Sequence, residues 1–167
     1  RVALATTDTN GQPSVRMVLL RGIDERGFVF FTNYCSRKAR EIEANPQAAL
    51  CFYWESIKEQ VRVEGIVKRT GNDESDIYFT SRERGSQLAA WASKQSTELE
   101  SRAELLAAYY KAKVRFSGGD VPRPDFWGGF RLHPERIEFW SNKTHRMHDR
   151  VVFVYKDDTW AKKRLYP

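Results

Sequence analysis

Three short runs of alternating apolar and polar side chains, cut by two turn tetrapeptides, fill the first 33 residues. That rhythm leaves room for little besides an antiparallel meander. The turns are Asp8-Thr9-Asn10-Gly11 and Asp24-Glu25-Arg26-Gly27, in which Asp and Asn bond their own backbone and Gly accepts positive φ. Strands are predicted at 1–7, 13–21 and 28–33. A helix over 36–45 stops before Pro46, and strands follow at 48–54 and 60–68, the latter alternating Val61 and Val63 with Arg62 and Glu64. The middle of the chain changes period. Helices are expected at 73–84 and 86–93, and Thr97-x-x-Glu100 reads as a capping box for a helix through 113, with Leu99, Ala103, Leu106 and Tyr110 on one face. After a Gly/Pro-rich loop at 117–124, strands return at 127–132, 136–140, 148–155 and 159–165, with Asp157-Asp158 at a tight turn.

Strand-rich halves around a helical insert predict a mainly β, α+β fold: an antiparallel barrel or strongly coiled sheet with helices outside it or over its ends. Strands and helices do not alternate, and no Walker or Rossmann glycine pattern is present, which argues against a doubly wound sheet. At 167 residues the expectation is one domain, 1–167. An apolar fraction of 41% excludes the disordered class. No apolar run approaches the roughly 20 residues of a membrane helix, and the start does not resemble a signal peptide. Cys35 and Cys51 are too few for a disulfide framework, so the expected setting is the reducing cytoplasm, with no membrane partner. The chain opens directly on a strand without Met, which predicts a further segment upstream.

The chain carries a net charge of +6, and three clusters of its cations combine with hydroxyls or other donors in ways that suit an anion. In the first, Ser36 is a candidate N-cap, yet Arg37 and Lys38 occupy the first helical turn, where the macrodipole disfavours cations. A bound phosphate reverses that sign, and Thr32 and Arg16 on the neighbouring strands add donors. The alternative is an ordinary surface helix with two mismatched charges. In the second, Tyr78, Arg82 and Ser86 are spaced by four and share a face if one helix runs through them. Taken alone, this trio fits a solvated arginine beside a core tyrosine better than an anion clamp. In the third, a strand through Arg146-Met147-His148-Asp149-Arg150 puts Arg146, His148 and Arg150 on one face, around an anion or on a solvated edge.

Other chemistries have less support. His145-x-x-His148 has no Cys or carboxylate at ligand spacing, so no metal is expected. Neither cysteine has an activating neighbour in sequence, and no Gly-x-Ser-x-Gly elbow is present. Phe52-Tyr53-Trp54 and Phe139-Trp140 read mainly as core, although a Trp at a cavity mouth can lie against a planar ligand.

With the clusters placed, the sequence resembles the pyridoxine (pyridoxamine) 5′-phosphate oxidase family. The resemblance rests on Arg16-Met17-Val18-Leu19-Leu20-Arg21-Gly22, Phe30-Phe31-Thr32-Asn33 with Ser36-Arg37-Lys38, Phe52-Tyr53-Trp54, Gln60-Val61-Arg62-Val63-Glu64-Gly65, and Tyr78-x-x-x-Arg82-x-x-x-Ser86-Gln87. It continues through Gln95-Ser96, Trp127-Gly128-Gly129, Glu138-Phe139-Trp140, Arg146-Met147-His148-Asp149-Arg150 and the closing Arg164-Leu165-Tyr166-Pro167. It implies a homodimeric, antiparallel FMN-binding split β-barrel with FMN at the subunit interface. Arg16, Met17, Val18, Leu19, Phe31, Thr32, Arg37, Lys38, Gln60, Gln95, Ser96, Trp140 and Arg150 are then cofactor residues. Tyr78, Arg82 and Ser86 take the substrate phosphate, while Arg146, Met147 and His148 lie over the substrate ring, with Arg146 and His148 catalytic. Arg21 stands where the family usually has Lys, replacing a compact ammonium by a planar fork at a substrate contact. The implied partners are pyridoxine 5′-phosphate, pyridoxamine 5′-phosphate and O2. The rivals are a related FMN oxidase for a phenazine-type substrate, a non-catalytic flavin- or B6-phosphate-binding protein, and a basic barrel for nucleic acid, for which no signature is present.

Overall fold

A computed structural model describes all 167 residues, which divide into two compact units interleaved in sequence: 1–30, 41–68 and 131–167 form the first, 31–40 and 69–130 the second. Nine strands form one sheet: β1 (Val2–Thr7), β2 (Pro13–Val18), β3 (Leu20–Asp24), β4 (Gly27–Asn33), β5 (Gln47–Trp54), β6 (Glu59–Arg69), β7 (Trp127–Ser141), β8 (Asp149–Lys156) and β9 (Thr159–Arg164). The helices are α1 (Arg37–Ala44), α2 (Asn72–Thr80), α3 (Arg84–Ala92) and α4 (Arg102–Arg115). None is long and apolar enough to cross a membrane.

In the first unit the strand order is β2-β1-β5-β6-β7-β4-β3, with β8 on β7 and β9 on β8. The strands at the two ends of this path are joined by a single residue, Leu19, so the sheet must curl back on itself. The single strand predicted over 13–21 is therefore two. The chain leaves β1, its partner from Pro13 to Val18, and takes up β4 from Leu20, with a register shift between Leu20 and Gly22. Alternation within β1 buries Val2 and Leu4 completely, and Leu50, Val63, Leu132 and Val152 join them in the core.

Strands predicted separately at 127–132 and 136–140 are one 15-residue strand that runs through Pro134. Glycines on its two neighbours admit this stretch of backbone. A Cβ at Gly65 would stand 2.0 Å from the His133 carbonyl oxygen, and one at Gly27, where φ is +132°, 2.0 Å from that of Leu132.

The second unit is helical and aromatic. Phe79, Leu88, Ala90, Ala112, Val121 and Trp127 form its core, with Phe31, Tyr78, Trp91, Tyr109, Phe116 and Phe126 packed against them. α2 and α3 are separate helices. Thr80 and Ser81 return their hydroxyls to the carbonyls of Asp76 and Tyr78, and the buried Gln87 carboxamide caps the Phe79 and Thr80 carbonyls. α4 starts later than predicted. Its N-cap is Ser101, which accepts from the Glu104 N–H, whereas the Thr97 hydroxyl closes a turn onto Lys94. Leu99 lies outside the helix, and Leu106 and Tyr110 are exposed; Tyr109 and Ala112 face the core instead.

Candidate functional site

The first cation cluster condenses around Lys38 in the second unit. Its ammonium donates to Thr32 Oγ1 at 3.0 Å, Gln95 Oε1 at 3.0 Å and Ser36 Oγ at 3.4 Å, and Thr32 Oγ1 also donates to Gln95 Oε1 at 3.0 Å. Three elements of sequence thus supply one cage: the end of β4, the start of α1, and the turn after α3. Ser36 is fully buried, and its carbonyl accepts from the Arg40 N–H at the opening of the helix. No acidic side chain occupies the first turn of α1. Arg37 is exposed beside the cage, and Ser96, next to Gln95, holds a positive φ of 70°. A cation, two hydroxyls and a carboxamide at a helix start form a donor set suited to a phosphate.

Arg16 is tied to a different group. In the first unit its guanidinium reaches Glu41 Oε2 at 3.2 Å, Thr6 Oγ1 at 2.5 Å, the Leu4 carbonyl at 3.2 Å and the Ser14 hydroxyl. Glu41 is buried and also accepts from Thr6 at 2.5 Å and Ser14 at 2.6 Å. The guanidinium is therefore fixed by a carboxylate that the sequence reading did not single out. Alternation in β2 turns Arg16 and Val18 inward and leaves Met17 exposed, and Leu19 at the strand break is exposed as well. Arg21 lies exposed on β3, and Gln60 is half-buried on β6 opposite Tyr53.

The trio that the resemblance assigns to the substrate phosphate is not carried on one helix. Tyr78 lies in α2, Arg82 between the helices and Ser86 in the first turns of α3, so their spacing by four does not set a common face. Packing fixes two of them instead. The Tyr78 ring stacks on Phe31 with centroids 4.0 Å apart, both rings lie nearly parallel to Trp127, and the Arg82 guanidinium sits 4.6 Å from the Trp127 centroid. Phe31, assigned to the cofactor by resemblance, thus has its ring committed to this stack.

The third cluster departs most from expectation. Residues 144–146 form a short 3-10 turn, with φ of 55° at His145 and 61° at Arg146, and β8 begins only at Asp149. Arg146 and His148 are therefore loop residues and strand alternation does not put them in register with Arg150. Arg146 and Met147 are exposed. His148 is positioned by two contacts: its ring lies 4.7 Å from that of Trp140, and its Nδ1 accepts the Lys143 N–H at 3.2 Å. In the neutral ring the proton then sits on Nε2, which is left as the donor. Register explains the rest of this group, because Trp140 pairs directly with Arg150 across β7 and β8.

Arg150 is anchored by Glu138, two residues before Trp140 on the same face of β7. Glu138 is fully buried and also bonds Arg62 at 2.5 Å and Arg136 at 2.7 Å, while Arg136 reaches Glu64 at 2.8 Å. Burial by itself pushes the Glu138 carboxyl up, but hydrogen bonds from Arg150, Arg62 and Arg136 outweigh it and leave its pKa at about 2. Glu138, which entered the sequence reading only inside a motif, and Glu41, which did not enter it, are the carboxylates that fix Arg150 and Arg16. A signal existed for Glu138, since Arg136-x-Glu138-x-Trp140 aligns charge and aromatic on one strand face.

Comparison with known proteins agrees with this arrangement of motifs. The pyridoxamine 5′-phosphate oxidase family matches residues 1–116, and the pyridoxine 5′-phosphate oxidase C-terminal dimerisation region matches residues 127–167. The pyridoxine/pyridoxamine 5′-phosphate oxidase of Rubrobacter xylanophilus is 55% identical over 99% of this chain and 76% of its own. That of Anaeromyxobacter dehalogenans is 54% identical over 99% and 83%. Among solved structures, PhzG from Burkholderia lata 383, in complex with tetrahydrophenazine-1-carboxylic acid, superposes with a TM-score of 0.94 at 31% identity over 99% of this chain and 81% of that one. A pyridoxamine 5′-phosphate oxidase-related, FMN binding protein from Nostoc punctiforme shares the fold, with a TM-score of 0.77 at 19% identity over 99% and 87%. The antiparallel split-barrel fold expected from the sequence is thus the fold observed, and the chain belongs to the pyridoxine/pyridoxamine 5′-phosphate oxidase family of oxidoreductases.

Proposed function

We propose that this chain, as a cytoplasmic homodimer with FMN at the subunit interface, oxidises pyridoxine 5′-phosphate or pyridoxamine 5′-phosphate to pyridoxal 5′-phosphate. O2 is the final acceptor and leaves as hydrogen peroxide; the amine substrate also consumes water and releases ammonia. The observation that carries this reading is the Lys38 cage, in which residues as distant in sequence as Thr32 and Gln95 converge on one ammonium at the start of a helix. The homodimer is supported by the dimerisation-region match at 127–167 and by the exposed apolar side chains Val15, Met17, Leu19 and Ile23 on β2, β3 and the residue between them.

The donor set fits FMN. Lys38, Thr32, Ser36 and Gln95 would hold its phosphate with Arg37 beside them, and the family resemblance adds Arg16, Trp140 and Arg150 as cofactor residues. The chemistry that FMN supplies when bound is acceptance of a hydride from substrate C4′ and return of both electrons to O2. The remaining work is binding and orientation, which matches a chain without an acid–base dyad or activated nucleophile. Tyr78, Arg82 and Ser86 take the substrate phosphate, with the aromatic stack fixing the first two. His148 Nε2–H donates to the substrate's ring hydroxyl, while Arg146 covers the ring and stabilises charge developing near C4′.

The test is the visible spectrum of the purified protein reconstituted with FMN. Anaerobic addition of pyridoxine 5′-phosphate is expected to bleach the flavin band, and air to restore it with equimolar peroxide and pyridoxal 5′-phosphate. A chain that takes up no FMN, or whose flavin stays oxidised with both phosphorylated substrates, would refute the proposal. The PhzG likeness gives the competing outcome, bleaching by a reduced phenazine and not by pyridoxine 5′-phosphate.

A further inference from the structure

Glu138 makes no contact that the chemistry above requires, yet its carboxylate is heavily engaged. It is completely buried, and three guanidiniums bond it: Arg62 from β6, Arg136 from its own strand and Arg150 from β8. A core that needed only to be filled would be served as well by an apolar side chain, and a buried ion cluster is weak evidence for stability in itself. The three arginines are also not equivalent. Arg136 is shared with Glu64, whereas Arg150 is held at two separate points, Nε to Glu138 Oε1 at 2.8 Å and Nη1 to the Tyr166 carbonyl at 2.9 Å. The Leu165 N–H returns to the Arg150 carbonyl at 3.1 Å, so the backbone of this residue is fixed as well. Two bonds, one from Nε and one from Nη1, restrict rotation of the planar fork. Arg150 stands opposite Trp140 in the register, and Trp140 in turn carries His148.

We propose that Glu138 is a positioning residue for the cofactor: it holds Arg150, with the Tyr166 carbonyl as second anchor, so that the guanidinium is a fixed donor to an electron-rich atom of FMN. This rests on the FMN reading above. The excess positive charge of the cage follows, since three guanidiniums face two carboxylates, Glu138 and Glu64. The cage orients Arg150 without cancelling its attraction for an electron-rich ligand.

The experiment is a double-mutant cycle on FMN affinity, read by quenching of flavin fluorescence on apoprotein, with the thermal midpoint of the same apoprotein measured in parallel. R150A is expected to weaken FMN by about tenfold or more, and E138Q, which keeps the shape and removes the charge, by a similar factor. The double variant is expected to bind no more weakly than R150A alone, because Glu138 acts through that residue. R136M removes another cage contact while keeping the Arg150 bond; it is expected to lower the thermal midpoint but to leave FMN affinity within about twofold. E138Q binding FMN like the parent, or factors that multiply fully in the double variant, would overturn the proposal. R136M weakening FMN as much as R150A would overturn it too, and this arm stands if E138Q does not fold. R150A binding FMN like the parent is a separate failure, that of the Arg150 assignment itself.

Discussion

Replacing Lys38 with alanine separates a phosphate site from a merely well-bonded surface lysine. In the structure its ammonium has three acceptors within 3.4 Å, so it is held at one place, and an arriving anion exchanges for one of them. A charge-assisted hydrogen bond of this kind contributes about 1.5–3 kcal/mol, which converts to roughly 10- to 150-fold in a dissociation constant. Removing the side chain forfeits that bond to the cofactor phosphate. It also leaves Thr32 bonded to Gln95, so the fold of the cage survives. The assay is fluorescence titration of apoprotein with FMN and, in parallel, with riboflavin, which has the same ring system and no phosphate. K38A is expected to weaken FMN by a factor in that range and to leave riboflavin within about twofold. Raising salt should narrow the FMN difference, as a partly exposed charge contact requires. Equal losses for the two ligands would mean that Lys38 supports the ring or the fold and not the phosphate, and no loss for either would remove the cage from the cofactor site.

Four shorter tests bear on the scaffold and the loop. Glu138 has a folded-state pKa of about 2 against an ordinary 4.5, so its contribution to stability is present above about pH 4.5 and is lost as the pH falls towards 2; chemical denaturation of the parent and E138Q should show a stability gap that closes across that window, and a gap constant from pH 5 to 2 would contradict the cage. Gly65→Ala puts a Cβ 2.0 Å from the His133 carbonyl oxygen on a backbone that cannot yield cheaply, and should cost about 1–3 kcal/mol or more in urea melts. Ser101→Ala should cost about 1 kcal/mol, whereas Thr97→Ala should leave α4 helicity by circular dichroism unchanged, because only Ser101 accepts from the helix N-terminus. Arg146→Ala should lower turnover far more than FMN retention, and equal losses in turnover and flavin content would remove it from the substrate side.

What could be read in the sequence was whatever depends on nearest neighbours. Turn tetrapeptides and strand alternation give β1, β2 and β4 because a turn residue and a period of two act over a few positions. The break at Leu19 is different in kind. Residues 13–21 are uniformly strand-like, and the chain divides there because β2 and β3 pair with different strands, a fact of topology with no local mark. Pro134 misleads in the opposite direction: it reads as an end to the strand, and β7 runs through it because neighbouring strands supply Gly27 and Gly65 where the backbones come close.

The same division explains the site. Thr32, Ser36 and Lys38 lie within seven residues, and helix-start electrostatics pointed to them directly; Gln95 entered only through the family resemblance, since its approach depends on how the turn after α3 returns. Arg146 and His148 were placed by strand alternation, which fails because two consecutive positive-φ residues, His145 and Arg146, turn the chain before β8 can begin. That turn has a functional consequence. An arginine in a strand would be held by cross-strand neighbours as Arg150 is, whereas Arg146, at the end of a 3-10 turn, has its side chain exposed. On the proposed function, Arg150 and His148, each tied by hydrogen bonds, would form the fixed wall of the site, and the exposed Arg146 would lie over the substrate.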